Sequence, residues 1–138
     1  MISDTFETRS MLEKAAIEIR DYVDSFDYRK FKPPSKDALF GKCGFAAKIA
    51  SQKLQSSLEP EEIKIYSISD GYHFLAVLGD DFESGWKIDP TIAQFESIKD
   101  KNKLVFGPYE RYPLIFAKHP SGKIVRGNPK LLYHNYFQ

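Results

Sequence analysis

The sequence predicts an α+β domain, and three features carry that expectation. Apolar residues recur at helical spacing in two segments before Pro60, the period changes to alternation after it, and turn signals rich in glycine separate the alternating runs. Helices first and antiparallel strands afterwards is the order of an α+β fold rather than of repeated βαβ units. At 138 residues the chain is expected to form one domain, 1–138, able to bury a core without metal or disulfide staples. Hydrophobic residues make up 42% and aromatics 14%, which argues against a disordered chain, and no apolar run approaches a membrane-spanning length.

From Thr5 to about Tyr22, Met11, Ala15, Ile17, Ile19 and Val23 recur loosely at helical spacing with acidic residues early, so an amphipathic helix covering a core is expected. Residues 25–42, SFDYRKFKPPSKDALFGK, break every period with Pro-Pro and a glycine, and a loop this long in a compact domain tends to be functional. From Cys43 to Leu58 the residues Phe45, Ala46, Ile49, Ala50 and Leu54 share one face, which predicts a buried helix with a small, closely packed side. Beyond Pro60, residues 62–69, 72–79 and 85–89 alternate and are rich in Ile, Val, Tyr and Phe, as strands are. Asp70-Gly71 marks the first turn between them and GDDFESG a looser second one. YPLIFAKH and KIVRG flank PSG as a last hairpin, and the tail LLYHNYF is expected to pack back on the body. There is no internal repeat and no low-complexity segment.

Net charge +1 conceals an asymmetry. Residues 99–138 hold eight Lys/Arg against Asp100 and Glu110, or +6, which leaves −5 for the first 98. That third of the chain is either a solvated basic face or a surface for an acidic or inhibitory protein partner. A nucleic-acid role would rest on this charge and the tail's aromatics alone, without a recognisable motif. The start, MISDTFETRSMLEK, lacks a basic stretch leading into an apolar one, so a cytoplasmic location is expected, with delivery to another cell by a signal-independent route left open.

Cys43 is the only cysteine, so neither an intrachain disulfide nor a multi-cysteine zinc site is available to it. What remains is packing beside Phe45 and Ala46, or reactivity. At the first turn of a helix a thiolate is stabilised by the dipole and by unpaired N–H groups, and Gly41 and Gly44 would let a substrate come close to the backbone. A nucleophilic cysteine needs a base, and the base an orienting group. His73 shares a strand face with Leu75 and Val77; a hairpin register pairing Leu78 with Ser84 would set it opposite Asp89. Both residues also have ordinary readings, His73 as a satisfied structural histidine and Asp89 as a cap in an Asp-Pro turn. His119 and His134 have no acidic residue at a convincing strand-paired distance. No HExxH, phosphate-cradling loop or metal-ligand cluster occurs, so no metal or cofactor is expected.

GKCGFAA resembles the nucleophile segment of papain-like and transglutaminase-like cysteine enzymes, in which Gly-x-Cys opens a helix with an aromatic and small residues just after it. GYHFLAVLGDDFESGWKIDPTIAQF is similar to the other half of that site, a histidine strand followed by a Trp-x-x-Asp-Pro-Thr strand, and IDPTIAQF looks like small bacterial papain-fold toxins and effector deamidases. The likeness covers roughly residues 38 to 95, with 30 residues from Cys43 to His73 and 16 from His73 to Asp89. It implies a papain/transglutaminase-like fold with the cysteine at the N-terminus of a buried helix packed on an antiparallel sheet. It further implies Cys43 as nucleophile, His73 as general base and then acid, and Asp89 as orienter, acting on an amide of a protein or peptide substrate as a peptidase, glutamine deamidase or acyl transferase. Gly41, Gly44 and Trp86 would line the substrate site, Trp86 having a core reading of equal weight, while Gln94 and Phe95 read as structural. One position departs from the pattern: Asp37 stands where papain has its oxyanion-hole glutamine. A reading of a different class is a non-catalytic binding module, an immunity or adaptor protein or a degenerate enzyme, that uses the basic C-terminal face.

Overall fold

A computed structural model describes residues 5–25, 42–55, 63–68, 73–95, 98–118, 124–126 and 129–131. The predicted loop 25–42 apart from its ends, the Asp70-Gly71 turn, Gly41, His119, His134 and all of the aromatic tail but Leu131 lie outside these residues.

Helix α1, Phe6–Asp24, starts where Thr5 accepts a hydrogen bond from the Thr8 N–H at 3.1 Å, satisfying one of the donors a helix start leaves open. It buries Leu12, Ala15, Ala16, Ile19 and Val23, a stripe of spacing three and four. Met11 and Ile17, expected on that stripe, are 38% and 40% exposed instead. Each is one or two positions out of phase with Leu12, Ala15 and Ile19, which turns it toward solvent. Helix α2, Lys42–Gln55, buries Ala46, Ala47, Ala50 and Leu54. With alanines on the contact face its backbone lies close against strands β1, Ile63–Ile68, and β2, His73–Leu78, while α1 packs on α2.

The main sheet adds β3, Trp86–Ile88, β4, Val105–Phe106, and β7, Lys130–Leu131, in the order β4-β3-β2-β1-β7, and each pairing within it is antiparallel. Strands β5, Phe116–Lys118, and β6, Ile124–Arg126, make a separate two-stranded hairpin where the sequence expected the last one. Two helices and an antiparallel sheet make the fold α+β. Strands β4 and β7 are two residues long, too short to show a period, and were not anticipated.

The register of β2 on β3 corrects the sequence reading. Leu78 faces Trp86 rather than Ser84, and Ala76 faces Ile88. The reason is local: Asp81 binds both the Ser84 N–H and its hydroxyl at 2.7 Å, and the Gly85 N–H donates to the Asp81 carbonyl at 3.0 Å, so Ser84 and Gly85 belong to the turn. Gly79 has φ +134°, and a Cβ on Gly85 would meet the Asp81 carbonyl oxygen at 2.6 Å, so both ends of this turn require glycine. The displacement is two residues. Side chains on a strand alternate with period two, so Asp89 keeps the face assigned to it and now lies diagonal to His73, beside Leu75.

Candidate active site

His73 opens β2 opposite Ile68, the last residue of β1, so its ring stands at one end of the sheet. Asp89 follows β3 directly, and its N–H donates to the Leu104 carbonyl at 2.8 Å, extending the β3–β4 ladder by one step. The Ile92 N–H then closes a turn onto the Asp89 carbonyl at 3.3 Å, fixing the Asp-Pro corner that leads to the 3-10 turn Ile92–Gln94. His73 and Asp89 are both 0% exposed, and His73 Nε2 lies 2.7 Å from Asp89 Oδ2. A carboxylate there fixes which ring nitrogen carries the proton and stabilises the imidazolium.

Cys43 sits in the first turn of α2 and packs against Ala47, Ile65 and Phe74, still partly exposed. Its thiol lies close enough to His73 to act on the electrostatics of the ring, whose Nε2 is committed to Asp89. Burial alone would push the proton off His73, but the Asp89 carboxylate and its hydrogen bond, with smaller help from Cys43, outweigh it and raise the imidazole from 6.5 to about 10. The Asp89 carboxylate thus favours the protonated ring. Cysteine, histidine and aspartate thus meet in one chain of contacts, with the sulfur at its accessible end.

Three further residues touch this chain. Tyr112, 2% exposed, donates its hydroxyl to the same Asp89 Oδ2, and burial followed by the Asp89 charge holds that hydroxyl well above the usual tyrosine range. It remains a donor at any ordinary pH. Phe95 sets its ring edge-on to the His73 ring at a centroid distance of 4.8 Å. Gln94 brings its amide to 3.4 Å from Nδ1. The amide nitrogen can donate to a neutral ring, and half a turn presents the oxygen to an imidazolium. Gln94 and Phe95, read as structural in the sequence, are thus neighbours of His73. Tyr112 was missed: it follows Asp89 by 23 residues, past irregular chain, and no local pattern ties a lone tyrosine to a carboxylate.

Of the remaining predicted site residues, Gly41 lies outside the described residues, Trp86 lies apart and Gly44 stays with Cys43. Trp86 is 0% exposed within the main core, on the sheet face carrying Ile88, Ala76 and Leu78, with the Arg9 guanidinium 5.1 Å from its ring centroid. It is a core residue and does not wall an open pocket. Gly44 lies in the first turn of α2 beside Cys43. In the basic C-terminal third, Lys101 donates to the carbonyls of Ala93 and Phe95 and Lys103 to Glu110, so part of that charge is spent within the fold. Among the described residues no three His, Cys, Asp or Glu side chains gather as a metal ion would need, and no helix is long and apolar enough to cross a membrane. Comparisons with protein-family models, with curated proteins and with solved structures find no match.

Proposed function

We propose that this chain is a thiol-dependent amide hydrolase of the papain/transglutaminase-like type, acting on a protein or peptide as a peptidase or glutamine deamidase. The observation that carries the reading is the line from a partly exposed thiol at a helix start, through a buried imidazole, to a buried carboxylate. A cationic imidazole beside a thiol is the setting a thiolate nucleophile requires. Cys43 Sγ attacks the carbonyl carbon, and the C=O electron pair moves onto oxygen. The Cys43 N–H, in the first helical turn, is the first donor to that oxyanion in this reading, and the Gln94 amide the second. His73 gives its proton to the departing nitrogen as the C–N bond breaks, then takes one from the water that hydrolyses the thioester. Asp89 keeps the ring oriented through both transfers.

Iodoacetamide, a thiol-reactive carboxamide, tests this directly. Cys43 is expected to alkylate near neutral pH well faster than a free thiol, and His73→Ala to remove that advantage. Alkylation no faster than a free thiol and unchanged by His73→Ala would sink the reading.

A further inference from the structure

On the sheet face that carries Tyr66 and Lys87, and also His73 and Asp89, a cleft of about 680 Å³ opens between the 79–85 turn and the 107–112 segment, with Tyr112 shared between it and the candidate active site. Its size is within the range of small-molecule sites. Its walls are aromatic. The Phe82 ring packs edge-on against Tyr66 at 5.4 Å and Tyr112 at 5.5 Å, and Tyr109 stands at the rim 74% exposed. Tyr109 has φ 61°, a conformation costly for a residue with a Cβ, and it is held there by its N–H donating to the Glu83 carbonyl at 2.8 Å. The backbone therefore keeps an exposed aromatic ring at the mouth.

The charges that line the cleft are unequally occupied. Asp81 takes both donors of Ser84 and keeps its charge, Glu110 is paired with Arg9, Lys103 and the Gly107 N–H, and Asp81, Glu83 and Glu110 all act on Lys87 electrostatically. Glu83 is exposed at the rim, where water screens it. On the cationic side, Arg111 makes no hydrogen bond or ion pair among the described residues. Lys87, 1% exposed, makes one hydrogen bond among the described residues, to the Glu83 carbonyl at 3.0 Å, with its ammonium 5.9 Å from the Phe82 ring centroid. A nearly buried ammonium with unspent protons gains more from an incoming anion than an exposed one does, because little water competes.

We propose that this cleft is a second ligand site, taking a molecule that joins an aromatic body to a carboxylate, the ring against Phe82, Tyr109 and Tyr112 and the anion on Lys87 and Arg111. The site stands whether or not Cys43 is a nucleophile. The probe is N-acetyl-L-phenylalanine as its anion, titrated into the wild-type protein and followed by backbone amide shifts, with the neutral N-acetylphenylalaninamide and phenethylammonium as controls. The anion is expected to saturate at millimolar concentration, to shift the amides of Phe82, Tyr109 and Tyr112, and to bind roughly tenfold more weakly in Arg111→Ala and in Lys87→Met. Arg111 is exposed, so its variant tests the pairing even where Lys87→Met perturbs the core. No saturation, equal binding of the neutral amide, or preference for phenethylammonium overturns the proposal.

Discussion

Two clusters of charge in this molecule are built alike and placed differently. In one, His73 and Tyr112 converge on Asp89 Oδ2, with His73 and Asp89 side chains both 0% exposed. In the other, Arg9 at 3.3 Å and Lys103 at 2.5 Å converge on Glu110, which is 29% exposed. The surface cluster keeps its water, so its ions give up little and gain little. Ions moved into the interior lose several kcal/mol each of hydration, which mutual attraction returns only if every polar atom finds a partner. Asp89 Oδ1 has none among the described residues. Stability alone therefore gives no reason to bury His73 and Asp89 together, whereas the catalysis proposed above would, because a tuned imidazole needs a dry, fixed carboxylate. The neighbouring core of Leu75, Ile88, Ile92, Phe95 and Leu104 holds the pair in place.

The largest break in this contrast is Asp89→Ala, which strands a buried imidazole and a buried phenol without their acceptor. A loss of ~3–5 kcal/mol in urea unfolding is expected, and a loss under ~1 kcal/mol would mean that the pair is solvated like a surface one. The same pair should show itself in alkali. The fold raises His73 from 6.5 to about 10, so its stabilising contribution is complete below pH 6.5 and is lost as the pH rises through about 10. Melting temperatures across that window should fall more steeply for the wild type than for His73→Gln; parallel profiles would refute the assignment.

Tyr112→Phe is a milder cut, removing one donor to Asp89 while leaving the ring packed against Phe82 and Phe106. About 1–3 kcal/mol should be lost by urea titration, less than for Asp89→Ala because His73 still faces the carboxylate. A Tyr112→Phe protein as unstable as Asp89→Ala would make the phenol, not the imidazole, the main support of Asp89.

How much of this was legible in the sequence follows from the range of each signal. Helix α2 and strands β1 to β3 announce themselves through local period. The shared face of His73 and Asp89 survived a wrong register because the error was even, and parity alone decides the face. The register itself depended on Asp81 seizing Ser84, a side-chain contact inside a turn that alternation does not encode. Trp86 was balanced between core and pocket because an aromatic on a strand supports both; only the packing of α1 and Arg9 over it resolves the choice. Tyr112 and Gln94 were beyond reach for a related reason: each joins the site across irregular chain, where no period fixes direction.

The smallest expected effect is the most useful control. Burial alone would raise the Glu110 carboxyl, but Lys103, the Gly107 N–H and Arg9 more than reverse this and lower it from 4.5 to about 2. Its contribution is thus present above pH 4.5 and lost as the pH falls through about 2, at the opposite end of the scale from His73. Glu110→Gln should cost no more than ~1 kcal/mol near neutrality, and salt should shrink the difference, because charges this exposed are screened within about 10 Å at 0.1 M. Acid unfolding of wild type and variant at low and high salt measures both. A large gap that salt leaves unchanged would show that Glu110 behaves as a buried ion, and burial would then no longer be what distinguishes the two clusters.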